Sequence, residues 1–142
     1  MTTKEYLMQV PKMKRAIEGK AEQINSLRST LTSISVGSND IRVQSSSDPD
    51  KMASMIANIL DREAELEADM KEYLAKQRLI ASQIDSLDNV TYRSVLNDKY
   101  ICDLTFEKIA VATSKTWRHI IRIHGRALSE FEKKFGETYK KS

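Results

Sequence analysis

One cysteine stands in the 142 residues. Cys102 therefore has no partner for a disulfide within the chain, and a reducing, cytoplasmic home is expected. Its simplest role is that of a small apolar residue in a turn. Glycine (4) and proline (2) are also scarce. Few breakers beside abundant Lys, Glu, Ala, Leu and Ile describe a nearly all-helical chain. Three Phe, one Trp and five Tyr are few for a globular core, but long helices packed in pairs need less core than a compact globule. No apolar run approaches the roughly 20 residues that cross a bilayer. The start, Met1-Thr2-Thr3-Lys4-Glu5, lacks the apolar stretch of a signal peptide. A soluble protein without a membrane partner is expected.

Signals of catalysis are missing too. No Gly-rich phosphate loop, metal-ligand cluster or nucleophile motif occurs, so no enzyme, catalytic residue, cofactor or metal is expected. Asp61, Glu63, Glu65, Glu67, Asp69 and Glu72 alternate around a helix and suit a solvated surface rather than paired catalytic carboxylates.

The most telling absence is local. Between Glu107 and Glu130 there is no acidic residue, while Lys108, Lys115, Arg118, Arg122 and Arg126 all fall there. The net charge of +3 hides this asymmetry: residues 88–142 hold 11 cations against 7 anions, and residues 1–87 hold 12 against 13. Arg118, Arg122 and Arg126 recur every four residues, which places them on one side of an α-helix, offset by about 40° per step. The other side carries Ile120, Ala127, Leu128, Phe131 and Phe135. One apolar face and one cationic face suit a helix that packs on its own protein and meets a polyanion.

Two segments show heptad spacing. Tyr6, Val10, Met13, Ile17, Lys20, Ile24, Leu27, Leu31 and Ile34 form one. Met52, Ile56, Ile59, Glu63, Leu66, Met70, Tyr73, Gln77, Ile80, Ile84 and Leu87 form the other. Such seams bury their apolar residues only against another helix. Pro11 predicts a kink or a break between a short helix near 3–9 and a longer one over about 11–34. Residues 35–50 read as a turn-forming linker, with Ser47 or Asp48 capping a second helix that runs to about 87. The second helix would then outreach the first and need a further partner.

After Asp88-Asn89 three shorter helices are predicted, capped by Thr91, Thr105 and Thr116, the last ending near Phe135. Only Thr113-Ser114-Lys115 separates the last two, which is the length of a helix-turn-helix turn. The expected fold is all-α: a coiled-coil-like helical hairpin arm over 1–87, followed by a helix-turn-helix domain over 88–142.

A helix-turn-helix lays its second helix in the major groove and reads bases with that helix's N-terminal residues. Trp117, Arg118, His119 and Arg122 would face base edges, where the planar arginine fork suits guanine O6 and N7. Lys108, Lys115, Arg126 and Lys133 would meet phosphates, and the N-terminus of the helix capped by Thr116 adds positive dipole. Trp117 and His124 also lie on or near the apolar stripe, so packing competes with function there. His124 reads as a satisfied, partly buried histidine.

Leu96, Lys99-Tyr100, Thr105-Phe106-Glu107-Lys108-Ile109-Ala110, Thr116, Ile120, Ile123 and Arg126-Ala127-Leu128 resemble region four of bacterial sigma factors, which grips a promoter element. The resemblance implies base-reading positions at Trp117, Arg118 and Arg122. Over nearly its full length, through Thr2-Thr3-Lys4-Glu5-Tyr6-Leu7, Arg42-Val43-Gln44-Ser45-Ser46 and Ile123-His124-Gly125-Arg126-Ala127-Leu128, the chain also resembles small phage and prophage proteins of Gram-positive bacteria. These are a domain-of-unknown-function family near the RinA- and ArpU-type late regulators. The likeness implies a regulator of phage genes in the host cytoplasm, acting with host RNA polymerase.

Two departures stand out. Ser114 occupies a turn position usually held by Gly, so a left-handed residue there would strain it and the turn is expected to be rebuilt. Lys108 replaces a usual Glu. The expected function is sequence-specific duplex-DNA binding, with a homodimer or a polymerase contact made through the N-terminal helices. The alternatives are an adaptor protein whose degenerate helix-turn-helix does not touch DNA, and a small terminase-like packaging subunit.

Overall fold

The computed structural model describes residues 1–41 and 49–140, with side chains described over 1–34 and 49–140. Among the described residues there is no strand. Helix α1 spans Thr3–Ile41 and α2 spans Pro49–Asp85. They are followed by α3 (Val90–Leu96), a π-helical turn (Asn97–Ile101), α4 (Phe106–Thr113) and α5 (Trp117–Lys140).

Pro11 does not break α1. An interior proline forfeits one backbone hydrogen bond and crowds the preceding turn, at about 3 kcal/mol. Here Leu7, Val10 and Pro11 are all fully buried. Burying a side chain the size of Leu or Val is worth about 1.5–3 kcal/mol each, so packing offsets the proline. The linker expected over 35–50 also shrinks, because the backbone of α1 stays helical to Ile41 and α2 begins at Pro49. The two helices are 39 and 37 residues long, so the first is not the shorter. The cap assigned to Ser47 or Asp48 lies outside the described residues.

The chain divides into two compact units, Arg15–Glu72 and Met1–Lys14 with Tyr73–Ser142. In the unit Arg15–Glu72, Lys20 pairs with Asp69, Arg62 donates to Gln23 at 3.2 Å, and Arg28 pairs with Glu63. Lys20 lies opposite Asp69 and Arg28 opposite Glu63, so the partner number falls along α1, the helices run antiparallel, and the hairpin closes within one chain. Ile24 and Ile59 are buried between them, with Leu27, Leu31 and Leu66 half-buried. Exposed ion pairs of this kind add little stability, so the apolar seam supplies the adhesion. Two residues of that seam face out instead: Ile56 is 44% exposed and Met70 46%.

In the other unit the N-terminal turns of α1 and the end of α2 share a core with α3, the π-turn and α5. Tyr6, Leu7, Val10, Ile80, Ile84, Leu87, Leu96, Tyr100, Ala127, Phe131 and Tyr139 form it. Tyr6 stacks on Tyr139 with ring centroids 4.3 Å apart, and Tyr139 shares a 2.7 Å hydrogen bond with Thr3. These contacts explain why α5 runs to Lys140 and not to Phe135: Tyr139 is held from outside the helix. Gly136 is therefore an interior, buried position and not a terminator.

The first of the short helices starts earlier than Thr91 predicts. Asn89 is the cap, its side-chain oxygen accepting from the Tyr92 N–H at 3.1 Å. Beyond α3 the chain widens into the π-turn. It ends through Cys102 N–H to Asn97 O at 3.0 Å and Leu104 N–H to Asp98 O at 2.9 Å, with Asp103 left-handed at φ 55°. Cys102 is exposed there. Tyr100, on the same turn, is fully buried.

Candidate nucleic-acid interface

Thr105 opens α4 by accepting from the Lys108 N–H at 3.2 Å. Ile109 and Ala110 bury one face of α4 against Val95, Ile120 and Ile123. At the far end, Lys115 N–H reaches Ala110 O at 3.0 Å and Ser114 N–H reaches Val111 O at 3.3 Å. This nested pair is the Schellman ending of a helix, and it requires a left-handed residue. Ser114 supplies it at φ 57°, ψ 36°. The turn is therefore not rebuilt to avoid strain, contrary to expectation. Serine takes the strained conformation, and two satisfied backbone groups compensate.

Thr116 then caps α5, accepting from the His119 N–H at 3.1 Å. Ile120, Ile123, His124, Ala127 and Phe131 are buried along one side of α5. With that side fixed, Arg118, Arg122 and Arg126 must face outward. All eight residues singled out from the sequence, Lys108, Lys115, Thr116, Trp117, Arg118, His119, Arg122 and Arg126, are exposed. Trp117 is half exposed, at 50%, so it does not belong to the packed stripe.

The cations differ along α5 in their company. Lys133 pairs with Glu130 at 3.3 Å, and Lys140 pairs with Glu132. Among the described residues, Lys108, Lys115, Arg118, Arg122 and Arg126 form no ion pair. The N-terminal half of α5 thus carries uncompensated positive charge, and Lys133, read from the sequence as a phosphate contact, is neutralised by its neighbour. The sequence pattern does not single out Val111, which is 82% exposed on α4. The available signal is its phase: it falls outside the Ile109–Ala110 face.

His124 is 7% exposed and packs edge-on against Phe106, with centroids 4.8 Å apart. Its Nε2 lies 2.7 Å from the Tyr100 hydroxyl. Burial, assisted by the positive charges of Lys4 and Lys99, lowers the imidazole to about 4. Burial also pushes the Tyr100 phenol well above its ordinary value. The phenol therefore keeps its proton and shares a hydrogen bond with a neutral imidazole. Lys99 sits over the Phe106 ring at 4.4 Å. This set locks α5 to the π-turn and holds the cationic face away from the core.

No helix is long and apolar enough to cross a membrane, among the described residues. A capped α4, a three-residue turn and a longer two-faced α5 make this an all-α protein with a helix-turn-helix at its C-terminal end. The chain belongs to the DUF1492 family, described as a protein of unknown function, whose model matches residues 33–130. That stretch takes in α2, α3, the π-turn, α4 and the first half of α5. No curated protein and no solved structure matches the sequence.

Proposed function

We propose that this chain binds duplex DNA through α4, its turn and α5, and regulates the transcription of phage or prophage genes in a bacterial cytoplasm. The observation that carries the proposal is the uncompensated cationic half of α5, set directly after a helix-turn-helix turn. The N-terminal residues Trp117, Arg118, His119 and Arg122 would reach base edges in the major groove. Lys108, Lys115, Thr116 and Arg126 would hold phosphates and fix the register. The likeness to sigma region four supports a promoter as the target and host RNA polymerase as a neighbour.

Titration of a labelled duplex across a salt series tests this. Arg122→Ala and Arg118→Ala should weaken binding, and Lys115→Ala should flatten the salt slope by about one. Equal affinity and equal slope for wild type and all three variants would dismiss the assigned face.

A second reading, that of an adaptor whose helices bind a protein partner, rests on a separate observation. Ile56, Leu60, Met70, Leu74 and Leu79 of α2 are each between 44% and 59% exposed. A strict monomer in sedimentation that does not bind the duplex but captures a polymerase subunit would favour that reading.

A further inference from the structure

Gly125 lies in the interior of α5. Arg118 is seven residues before it, Arg122 three before and Ser129 four after, so the four form one ridge along the helix. All four are exposed. A glycine weakens a helix interior relative to alanine, so its presence here calls for a cause. The fold supplies none. A Cβ built on Gly125 would meet nothing within 4 Å, and no glycine among the described residues has positive φ. Gly136 on the same helix is different: its Cβ would stand 3.2 Å from Glu132 Cγ, inside a packed region. Open space alone does not distinguish Gly125, because Gly19 on α1 is open as well. The neighbours do. Within four residues of Gly19 two anions, Glu18 and Glu22, balance two cations, Arg15 and Lys20, whereas within four of Gly125 the only Lys, Arg, Asp or Glu side chains are Arg122 and Arg126.

A locally unfavourable residue with no internal compensation marks a place where something outside the fold sets the requirement. We propose that Gly125 is the point of closest approach between α5 and the sugar–phosphate backbone of duplex DNA. The missing side chain lets the helix backbone come against the strand, one turn beyond Arg122 at the base edges and beside Arg126 on a phosphate. The inference rests on the duplex-DNA proposal for the same helix. Its position along α5 fits that role. Gly125 stands eight residues beyond Trp117, about 12 Å along the axis, which is close to the width of the major groove.

The test compares wild type, Gly125→Ala, Gly125→Gln and Arg122→Ala, using a labelled mixed-sequence duplex at low salt, with urea unfolding measured in parallel. Gly125→Ala should be more stable than wild type and yet bind the duplex about tenfold more weakly. Gly125→Gln should bind more weakly still. Opposite signs for stability and binding cannot arise from misfolding. If Gly125→Ala binds as tightly as wild type while Arg122→Ala is weakened, this inference fails and the DNA proposal stands. A Gly125→Ala chain less stable than wild type also overturns it, since the fold would then have its own use for the glycine. If wild type does not bind the duplex at all, the DNA proposal falls and carries the inference with it.

Discussion

His124 shows how far a single position departs from what its type suggests. In water an imidazole takes a proton near 6.5, but in this fold burial holds it down to about 4. The unfolded chain therefore binds the proton first as pH falls. The contribution of His124 is constant above about 6.5 and declines toward 4, and that gap corresponds to about 3 kcal/mol. Urea unfolding at several pH values should show this decline in wild type and a smaller one in His124→Gln, whose amide can still hydrogen-bond Tyr100. Identical slopes in the two proteins would mean that His124 is not the titrating group. At the same scale, Ser114 is a residue whose strain was legible in the sequence but whose outcome was not. The Schellman bonds of Lys115 and Ser114 to Ala110 and Val111 reward the left-handed backbone. Local preference alone cannot weigh that reward.

At the scale of elements, the helix starts at Thr105 and Thr116 were legible because a capping hydroxyl acts locally. It needs only the N–H groups of the following turn. The start of α3 was not, because Asn89 and Thr91 are both good caps two residues apart. The choice falls on Asn89, and Arg93, whose guanidinium donates to Leu87 O at 3.0 Å, ties the same turn down. Asn89→Ala should therefore cost about 1 kcal/mol, and Thr91→Ala close to nothing. Chemical denaturation of the two variants decides it, and the reverse order would reassign the cap. Helix ends set by distant contacts could not be read in advance. Pro11 and Gly136 are breakers by type, yet both lie inside helices, because Leu7 and Val10 in one case and Tyr139 in the other are anchored from elsewhere in the chain.

For the whole molecule, the sequence suggests an arm over 1–87 and a separate domain over 88–142. The packing joins pieces of both. Leu7, with no exposed surface, shares a core with Ile84, Tyr100 and Phe131. Leu7→Ala should cost about 3 kcal/mol. It should also lower amide protection in α5 as well as in α1. Hydrogen exchange measured by element provides the check; loss confined to α1 would restore an independent C-terminal domain. The same core explains why the cationic side of α5 faces outward without any local signal to enforce it. Once Ala127 and Phe131 are buried, the arginines on the opposite side have nowhere else to point.

Residue order alone was enough for the helical class, the two seams, the caps at Thr105 and Thr116, and the acid-free cationic run. Each of these depends on composition, or on residues within one or two turns of each other. Long-range packing settles that Pro11 is spanned, that α5 reaches Lys140, that His124 stays neutral beside Tyr100, and that the first residues of the chain pack with α5. Those outcomes depend on burial and on contacts between residues far apart in sequence, whose free energies exceed local preferences and leave no local trace.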